Sequence, residues 1–345
     1  MKTKFVITLT IIGCILFFCY HAFYIHREKE VANATIFAMN TVIDLSIYGR
    51  NREEMLAASI DLIREYDRLL NVTDPNSVIS LINQHSGTFV ATPEELLPIL
   101  ELSLYWWGIT DGNFSPGLLE VSRAWGFTME EHRVPSEIEL DALLQSVRLD
   151  EIAIKPTGQS NMSVENITTE HYYVYLPPGM GLDFGAIAKG YVADRIRSIA
   201  EIYEIERAII SLGGDILAIG SAARNRPWAI AINHPMEQGF IETLYVRDAV
   251  VSTSGINERF FIGNSGEIFH HILDPTTGRP TEHDLASVTV VSPSGVIAEV
   301  LSTALFVMGR EEGLRFIERY QEQDWMVDVR VYSITRTGVL DTWIE

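Results

Sequence analysis

Apolar residues follow three rhythms along this chain, and each marks a different kind of element. A predominantly apolar run over residues 5 to 24 (FVITLTIIGCILFFCYHAFY) is long enough to cross a bilayer as a helix. Alternation then predicts a strand over Thr35 to Ile47, and helical periodicity predicts a helix over Glu53 to Leu70 that ends before Asp74-Pro75-Asn76. A second helical stretch, Pro93 to Gly108, leads into the loop Gly112-Asn113-Phe114-Ser115-Pro116-Gly117. Strand-like alternation returns over residues 150 to 180 around a polar insert, Pro156 to Glu170, which reads as a mobile surface loop. Beyond it the pattern predicts a helix over Ala188 to Tyr203 and a buried strand with a tight turn over Ala208 to Asp215. Strands follow at Trp228 to Asn233, Leu244 to Val251 and Ser287 to Val291. Helices over Ile297 to Met308 and Glu311 to Tyr320 precede two closing strands. With no regular βαβ beat, no internal repeat and no long linker, residues 31 to 345 read as one α+β domain with a mixed, largely antiparallel sheet and flanking helices.

Residues 1 to 30 read as an N-terminal membrane anchor or signal segment, since the apolar run follows Lys2 and Lys4. No small-residue A-x-A site follows the run, which favours an uncleaved anchor. Ile11-Ile12-Gly13-Cys14 loosely resembles a lipoprotein cleavage site, but the apolar residues after Cys14 are atypical of a mature lipoprotein start. Lys2 and Lys4 on one flank balance Arg27 and Lys29 on the other, so charge does not orient the segment.

Composition narrows the ligands. A formal charge of -20 and a pI near 4.8 exclude nucleic-acid binding through a broad basic surface. An anionic ligand must therefore be met locally, by Lys189, by helix N-termini or by a metal. Both cysteines, Cys14 and Cys19, lie in the apolar run, so residues 25 to 345 hold no disulfide, no thiolate nucleophile and no cysteine-based zinc site.

The segment Gly181-Leu182-Asp183-Phe184-Gly185-Ala186-Ile187-Ala188-Lys189-Gly190-Tyr191 joins a glycine-rich turn to one lysine and a helix, a pattern that can bring backbone donors and a cation against phosphate. It is neither a Walker A loop nor a Rossmann fingerprint, because Gly190 follows Lys189 and the glycine spacing differs from both. Ser211-Leu212-Gly213-Gly214-Asp215 reads on its own as a strand-ending turn. Val251-Ser252-Thr253-Ser254-Gly255, with Asn257-Glu258-Arg259 after it, reads as a small-residue loop compatible with a phosphate contact. His270-His271-Ile272-Leu273-Asp274-Pro275-Thr276-Thr277-Gly278 gathers imidazoles, a carboxylate and hydroxyls around a proline-set turn. At the start of a helix, Glu299, Ser302 and Thr303 share one face and can present three hard oxygens, which suits Mg²⁺.

Taken together and in order, these blocks resemble the ApbE family of FAD:protein FMN transferases. The resemblance rests on Asp183-x-x-Ala186-x-x-Lys189-Gly190-Tyr191, Leu212-Gly213-Gly214-Asp215, Thr253-Ser254-Gly255, His271-Ile272-Leu273-Asp274-Pro275-x-Thr277-Gly278 and Ala298-Glu299-x-x-x-Thr303-Ala304. Upstream, Met39-x-Thr41, Asp74-x-x-Ser77-x-x-Ser80-x-x-Asn83, Gly112-x-Phe114 and Trp125-Gly126-Phe127 extend it over nearly all of residues 35 to 310.

The resemblance implies an enzyme that cleaves FAD at its pyrophosphate with Mg²⁺, attaches FMN to a threonine hydroxyl of an acceptor redox protein and releases AMP. It implies Asp183 and Lys189 as flavin-nucleotide contacts. Met39, the loop residues Phe114, Ser115 and Gly117, and Ile272 and Leu273 would line the flavin pocket, with Thr253, Ser254, Gly255 and Thr277 in the same binding set. The Ala186 carbonyl, Glu299, Ser302 and Thr303 would form the metal site, and His271 or Asp274 would be the general base. With the apolar run, it implies a protein of the bacterial cell membrane whose catalytic domain lies outside the cytoplasm. Three positions depart from the family pattern: Glu299 stands where Asp is usual, Met39-Asn40-Thr41 replaces Met-Gly-Thr, and the loop after Phe114 differs from Asp-x-Thr-Val-Gly-Pro. Glu299 and the altered Phe114 loop motivate one alternative, a non-catalytic FAD-binding protein. A second, a pyrophosphatase that yields FMN and AMP, follows because water can replace the threonine hydroxyl in an open site.

Overall fold

The structure, a computed structural model, describes residues 30–129, 131–156, 171–263 and 265–345. The apolar N-terminal run and nearly all of the polar insert expected as a mobile loop lie outside the described residues. Among the described residues no helix is long and apolar enough to cross a membrane.

The alternation over Thr35 to Ile47 is a hairpin rather than one strand. β1 (Val31–Ala38) and β2 (Thr41–Tyr48) pair antiparallel across Met39 and Asn40, which both take left-handed conformations, φ 51° and 58°. Positive φ at both central residues matches the right-handed twist of paired strands. A tertiary bond supports the turn, because the Met39 N–H donates to Asp67 Oδ1 at 2.9 Å. The stretch Ala208 to Asp215 likewise continues past its turn, as β6 (Arg207–Leu212) and β7 (Asp215–Gly220). Leu244 to Val251 divides into β9 (Phe240–Val246) and β10 (Ala249–Gly255), with Asp248 at φ 46° between them. Thr253, Ser254 and Gly255, expected in a loop, therefore end a strand. Their small side chains lower β-propensity, but cross-strand bonds such as Thr253 Oγ1 to Thr289 Oγ1, 2.9 Å, compensate.

Eight strands form the main sheet in the order β1-β2-β6-β7-β10-β13-β14-β15, every neighbouring pair antiparallel. Here β13 is Leu285–Ser292, β14 Arg330–Thr335 and β15 Leu340–Ile344. All residues of β13 are buried, as a strand covered on both faces must be. On one face lie α1 (Arg52–Leu70), α6 (Ala188–Ile202) and α7 (Gly295–Tyr320). The other face is covered by the ribbon β8 (Trp228–Asn233) and β9, which buries Ile230, Ile232, Leu244 and Val246 against Val251, Val291 and Ile334. The helices expected over Ile297 to Met308 and Glu311 to Tyr320 are the two halves of α7, divided at Gly309, φ 71°.

Smaller elements were not anticipated: the helices α2 (Val78–Gln84), α4 (Leu119–Trp125) and α5 (Glu137–Leu144), and the ribbon β11 (Phe260–Ile262) with β12 (Ile268–His270). Two turns of helix, or three residues of strand, carry too few periods to stand out in a sequence. The remaining elements are α3 (Leu97–Ile109) and a three-stranded sheet of β3 (Phe89–Pro93), β5 (His171–Tyr175) and β4 (Ala153–Pro156).

The crossing of α6 and α7 positions the site. A Cβ on Gly190 would lie 2.1 Å from the Gly295 carbonyl oxygen, so the two backbones touch where a side chain would hold them apart. Asp194 of α6 also caps α7, accepting from Ser294 Oγ (2.9 Å), Gly295 N (2.7 Å) and Val296 N (3.1 Å). Glu299, one turn into α7, is thereby delivered to the start of α6.

Candidate active site

A cleft of about 580 Å³ opens over this crossing, a volume typical of small-molecule sites. Its walls come from the β1–β2 turn, the end of α1, the loop before α4, the segment Asp183 to Lys189, the end of β10 and the His271–Leu273 strand exit.

At its floor three charged groups meet. The Lys189 ammonium pairs with Glu299 Oε1 and lies 3.0 Å from Asp215 Oδ2, while Glu299 Oε2 accepts the Gly190 N–H at 2.7 Å. Glu299 and Asp215 are both almost wholly buried. Burial alone would depress the lysine, but Asp215 and then Glu299 outweigh it and hold Lys189 charged, well above its ordinary value. Burial, by contrast, raises Glu299, against the pull of Lys189. Asp215, whose sequence context suggested only a turn, is thus part of the floor. Its Gly213-Gly214 turn carries φ 67° and 109°, and Gly213 packs directly on Thr41.

Asp183 sits on the adjoining segment. Burial raises its carboxyl, and the Gly185 N–H, 2.9 Å from Oδ1, works against that rise. The segment is clamped from α2, where Asn83 donates to the Leu182 carbonyl (2.9 Å) and accepts the Leu182 N–H (2.8 Å). The Ser77-x-x-Ser80-x-x-Asn83 pattern is therefore a structural clamp: Ser77 caps α2 through Ser80 N, and Asn83 fixes the loop that bears Asp183.

His271 faces the cleft from beyond β12. Its N–H and its Nδ1 both bond the Arg259 carbonyl, at 3.0 and 3.2 Å. A carbonyl only accepts, so Nδ1 carries the hydrogen and Nε2 keeps its lone pair. Burial, reinforced by the Arg259 charge, pushes the imidazole from 6.5 down to about 3, so it is neutral at physiological pH. The other candidate base is placed differently. Asp274 Oδ1 accepts Thr276 N (2.7 Å) and Thr276 Oγ1 (2.6 Å) in a turn outside the cleft lining. That turn is locked by Trp125, whose Nε1 donates to the Gly278 carbonyl at 2.8 Å.

Of the other residues expected at the site, Met39, Phe114, Ser115, Ala186, Thr253, Ser254, Ile272, Leu273 and Thr303 line the cleft. Gly117, Gly255, Thr277 and Ser302 do not. Gly117 packs under Val147, where a Cβ would come within 2.8 Å. Thr277 Oγ1 accepts the Arg279 N–H within the turn. Ser302 is buried, bonding Ser254 Oγ (2.9 Å) and the Glu299 carbonyl (2.9 Å), so it braces Glu299 and Ser254 from behind. The lining also includes residues without any expected role, Tyr66, Asp67, Asn71 and Thr73, and Arg259 from the loop read as compatible with a phosphate contact. The end of α1 had no chemical motif to reveal it.

The donor set fits a hard divalent cation. Two buried carboxylates share one ammonium, Asp215 Oδ2 lacks a well-aligned hydrogen bond, and the Thr303 and Ser254 hydroxyls lie 3.1 Å apart beside them. Among the described residues no three His, Cys, Asp or Glu side chains converge on one point, so a cation here would take hydroxyl and carbonyl oxygens beside the carboxylates.

An oxygen-rich cleft with a buried ammonium and a neutral histidine, set on one antiparallel sheet, defines a phosphate-handling enzyme of the α+β class. The chain belongs to the ApbE family, whose model matches residues 39–327. A Klebsiella pneumoniae (strain 342) relative named FAD:protein FMN transferase is 30% identical over 302 residues, covering 86% of this chain and 89% of its own. A Treponema pallidum (strain Nichols) relative of the same name is 28% identical over 337 residues, covering 91% of each. The crystal structure of the ApbE protein from Thermotoga maritima superposes with a TM-score of 0.78 at 28% identity, over 91% of this chain and 97% of the other. The apo flavinyl transferase ApbE of Pseudomonas stutzeri, 24% identical, shares the fold, with a TM-score of 0.74 over 91% of this chain and 94% of the other. The family and the largely antiparallel α+β fold expected from the sequence are both borne out.

Proposed function

We propose that this protein is an FAD:protein FMN transferase that moves FMN from FAD to a threonine hydroxyl of an acceptor redox protein and releases AMP. The observation that carries the reading is the juxtaposition, in one cleft, of the Lys189–Asp215–Glu299 floor with a neutral His271 whose Nε2 is unprotonated. The family membership and its relatives named FAD:protein FMN transferase support it.

In this reading the threonine oxygen attacks the FMN phosphorus, the bond from that phosphorus to the bridging oxygen breaks, and AMP leaves with the electron pair. His271 Nε2 takes the threonine proton, and the Arg259 carbonyl steadies the imidazole as it becomes cationic. Lys189 holds positive charge at the floor, and Asp183 bounds the cleft beside it. Glu299, Thr303 and the Ala186 carbonyl would hold Mg²⁺, with Ser302 bracing Glu299. When bound, the ion supplies charge neutralisation for the pyrophosphate oxygens. Glu299, one methylene longer than the usual Asp, enters from α7 across a glycine contact and reaches the Gly190 N–H.

We also place the protein at a bacterial cell membrane, held by the apolar run over residues 5 to 24, with its catalytic domain outside the cytoplasm. The test of the activity is incubation of the protein with FAD, Mg²⁺ and a threonine-bearing acceptor. AMP release with a fluorescent acceptor is the expected result, and no AMP with any divalent metal refutes the reading. AMP and free FMN with an unlabelled acceptor would make water the nucleophile.

A further inference from the structure

Two permanently cationic side chains line the cleft among the described residues, Lys189 and Arg259, and only one has charge to spare. Lys189 is matched by Asp215 and Glu299. Arg259 follows β10 on the turn that leads into β11, and among the described residues no carboxylate forms an ion pair with its guanidinium. Its charge nevertheless reaches the cleft groups. It lowers Asp183 against the effect of burial, joins burial in depressing His271, and acts on neighbouring Glu258 without pairing with it. The same residue's carbonyl holds both the N–H and the Nδ1–H of His271.

A guanidinium presents a planar fork of donors that matches phosphate oxygens, and the Arg259 side chain, exposed at the cleft wall and without an ion-pair partner among the described residues, is open to an anionic ligand. We propose that Arg259 is a substrate-binding residue: its guanidinium grips the pyrophosphate of FAD while its carbonyl keeps His271 in the base-competent tautomer, so one residue sets phosphate and base in register. This inference rests on the transferase reading above.

The test compares the full-length protein with its Arg259→Ala and Arg259→Lys variants, measuring affinity for FAD, ADP and riboflavin by calorimetry and flavin fluorescence. Arg259→Ala should weaken FAD and ADP by about 10- to 100-fold, the worth of a charge-assisted hydrogen bond, and leave riboflavin within about twofold. Arg259→Lys should recover part of the loss, because it restores the charge without the fork. Since the carbonyl survives both changes, the histidine's tautomer, read by NMR of the imidazole nitrogens, should stay as in the parent. Unchanged ADP affinity in Arg259→Ala overturns the inference, as does an equal loss for riboflavin, which carries no phosphate. A parent protein that binds neither FAD nor ADP refutes the transferase reading itself, so the two failures are distinct.

Discussion

His271 and Asp274 were indistinguishable as general bases in the one-dimensional pattern, since both sit in the same nine-residue block of imidazoles and hydroxyls. The structure separates them by what each oxygen or nitrogen already bonds. Asp274 spends an oxygen on Thr276, whereas His271 has its Nδ1 satisfied and its Nε2 free. His271→Ala should lower the transfer rate by about 10²- to 10⁴-fold, with FAD affinity nearly retained, as expected for loss of a general base. Asp274→Asn should cost far less. Because the His271 imidazole is held down near 3, its NMR signals should not titrate between about pH 8 and 5; a midpoint near 6.5 would contradict the assignment. The sign for stability follows. Below 6.5 the unfolded chain binds protons that the folded His270, lowered to about 4, and His271 refuse. Stability is therefore lost as pH falls from 6.5 through the folded values, which urea midpoints at pH 7 and 5 would register. Asp215 and Arg259 show what a motif misses at this scale. Asp215 belongs to a stretch that reads on its own as a strand-ending turn and Arg259 to a small-residue loop compatible with a phosphate contact, and each acquires its role from a partner more than ten residues away.

Among the elements, α6 and α7 decide whether there is a floor at all. Their contact depends on Gly190 and Gly295, whose backbones leave no room for a Cβ. Gly190→Ala should destabilise the protein by about 3 kcal/mol, the upper end of overpacking costs, and should also lower activity by moving Glu299 from Lys189. A thermal melt together with AMP release checks both effects; a stable Gly190→Ala protein with parental activity would show that the crossing is not so tight. Long elements were legible in advance. The apolar stripes of α1 and α6 run over four or more turns, and Glu53 to Leu70 and Ala188 to Tyr203 were placed to within one residue at each end. Two turns without glycine were not. Met39, Asn40 and Asp248 take positive φ, supported by contacts outside the turn, from Asp67 to Met39 N and from Asp248 to Gly220 N. Local chemistry could not announce what a distant side chain imposes.

At the scale of the whole molecule, a chain with net charge -20 handles an anionic substrate only by concentrating its cations. The cleft does this with Lys189 and Arg259, and the carboxylates around them favour adding a divalent ion to the anion. The apolar run over residues 5 to 24 sets a further expectation. Full-length protein should sediment with membranes, a chain lacking residues 1 to 29 should stay in the supernatant with its AMP-releasing activity intact, and protease added outside the cytoplasm should digest the domain. Equal partition of the two forms would remove the anchor. By itself, the sequence determined the α+β class, the long helices, the absence of cysteine chemistry beyond residue 25 and the ordered blocks that mark the family. All of these depend on residue type and near-neighbour spacing. The tertiary structure alone decided that Asp215 completes the floor, that His271 rather than Asp274 faces the cleft, that Ser302 braces from behind and that Arg259 forms no ion pair among the described residues. Each of those is a meeting of atoms from segments far apart in the chain, and only packing of the sheet against α6 and α7 fixes which of many possible meetings occurs.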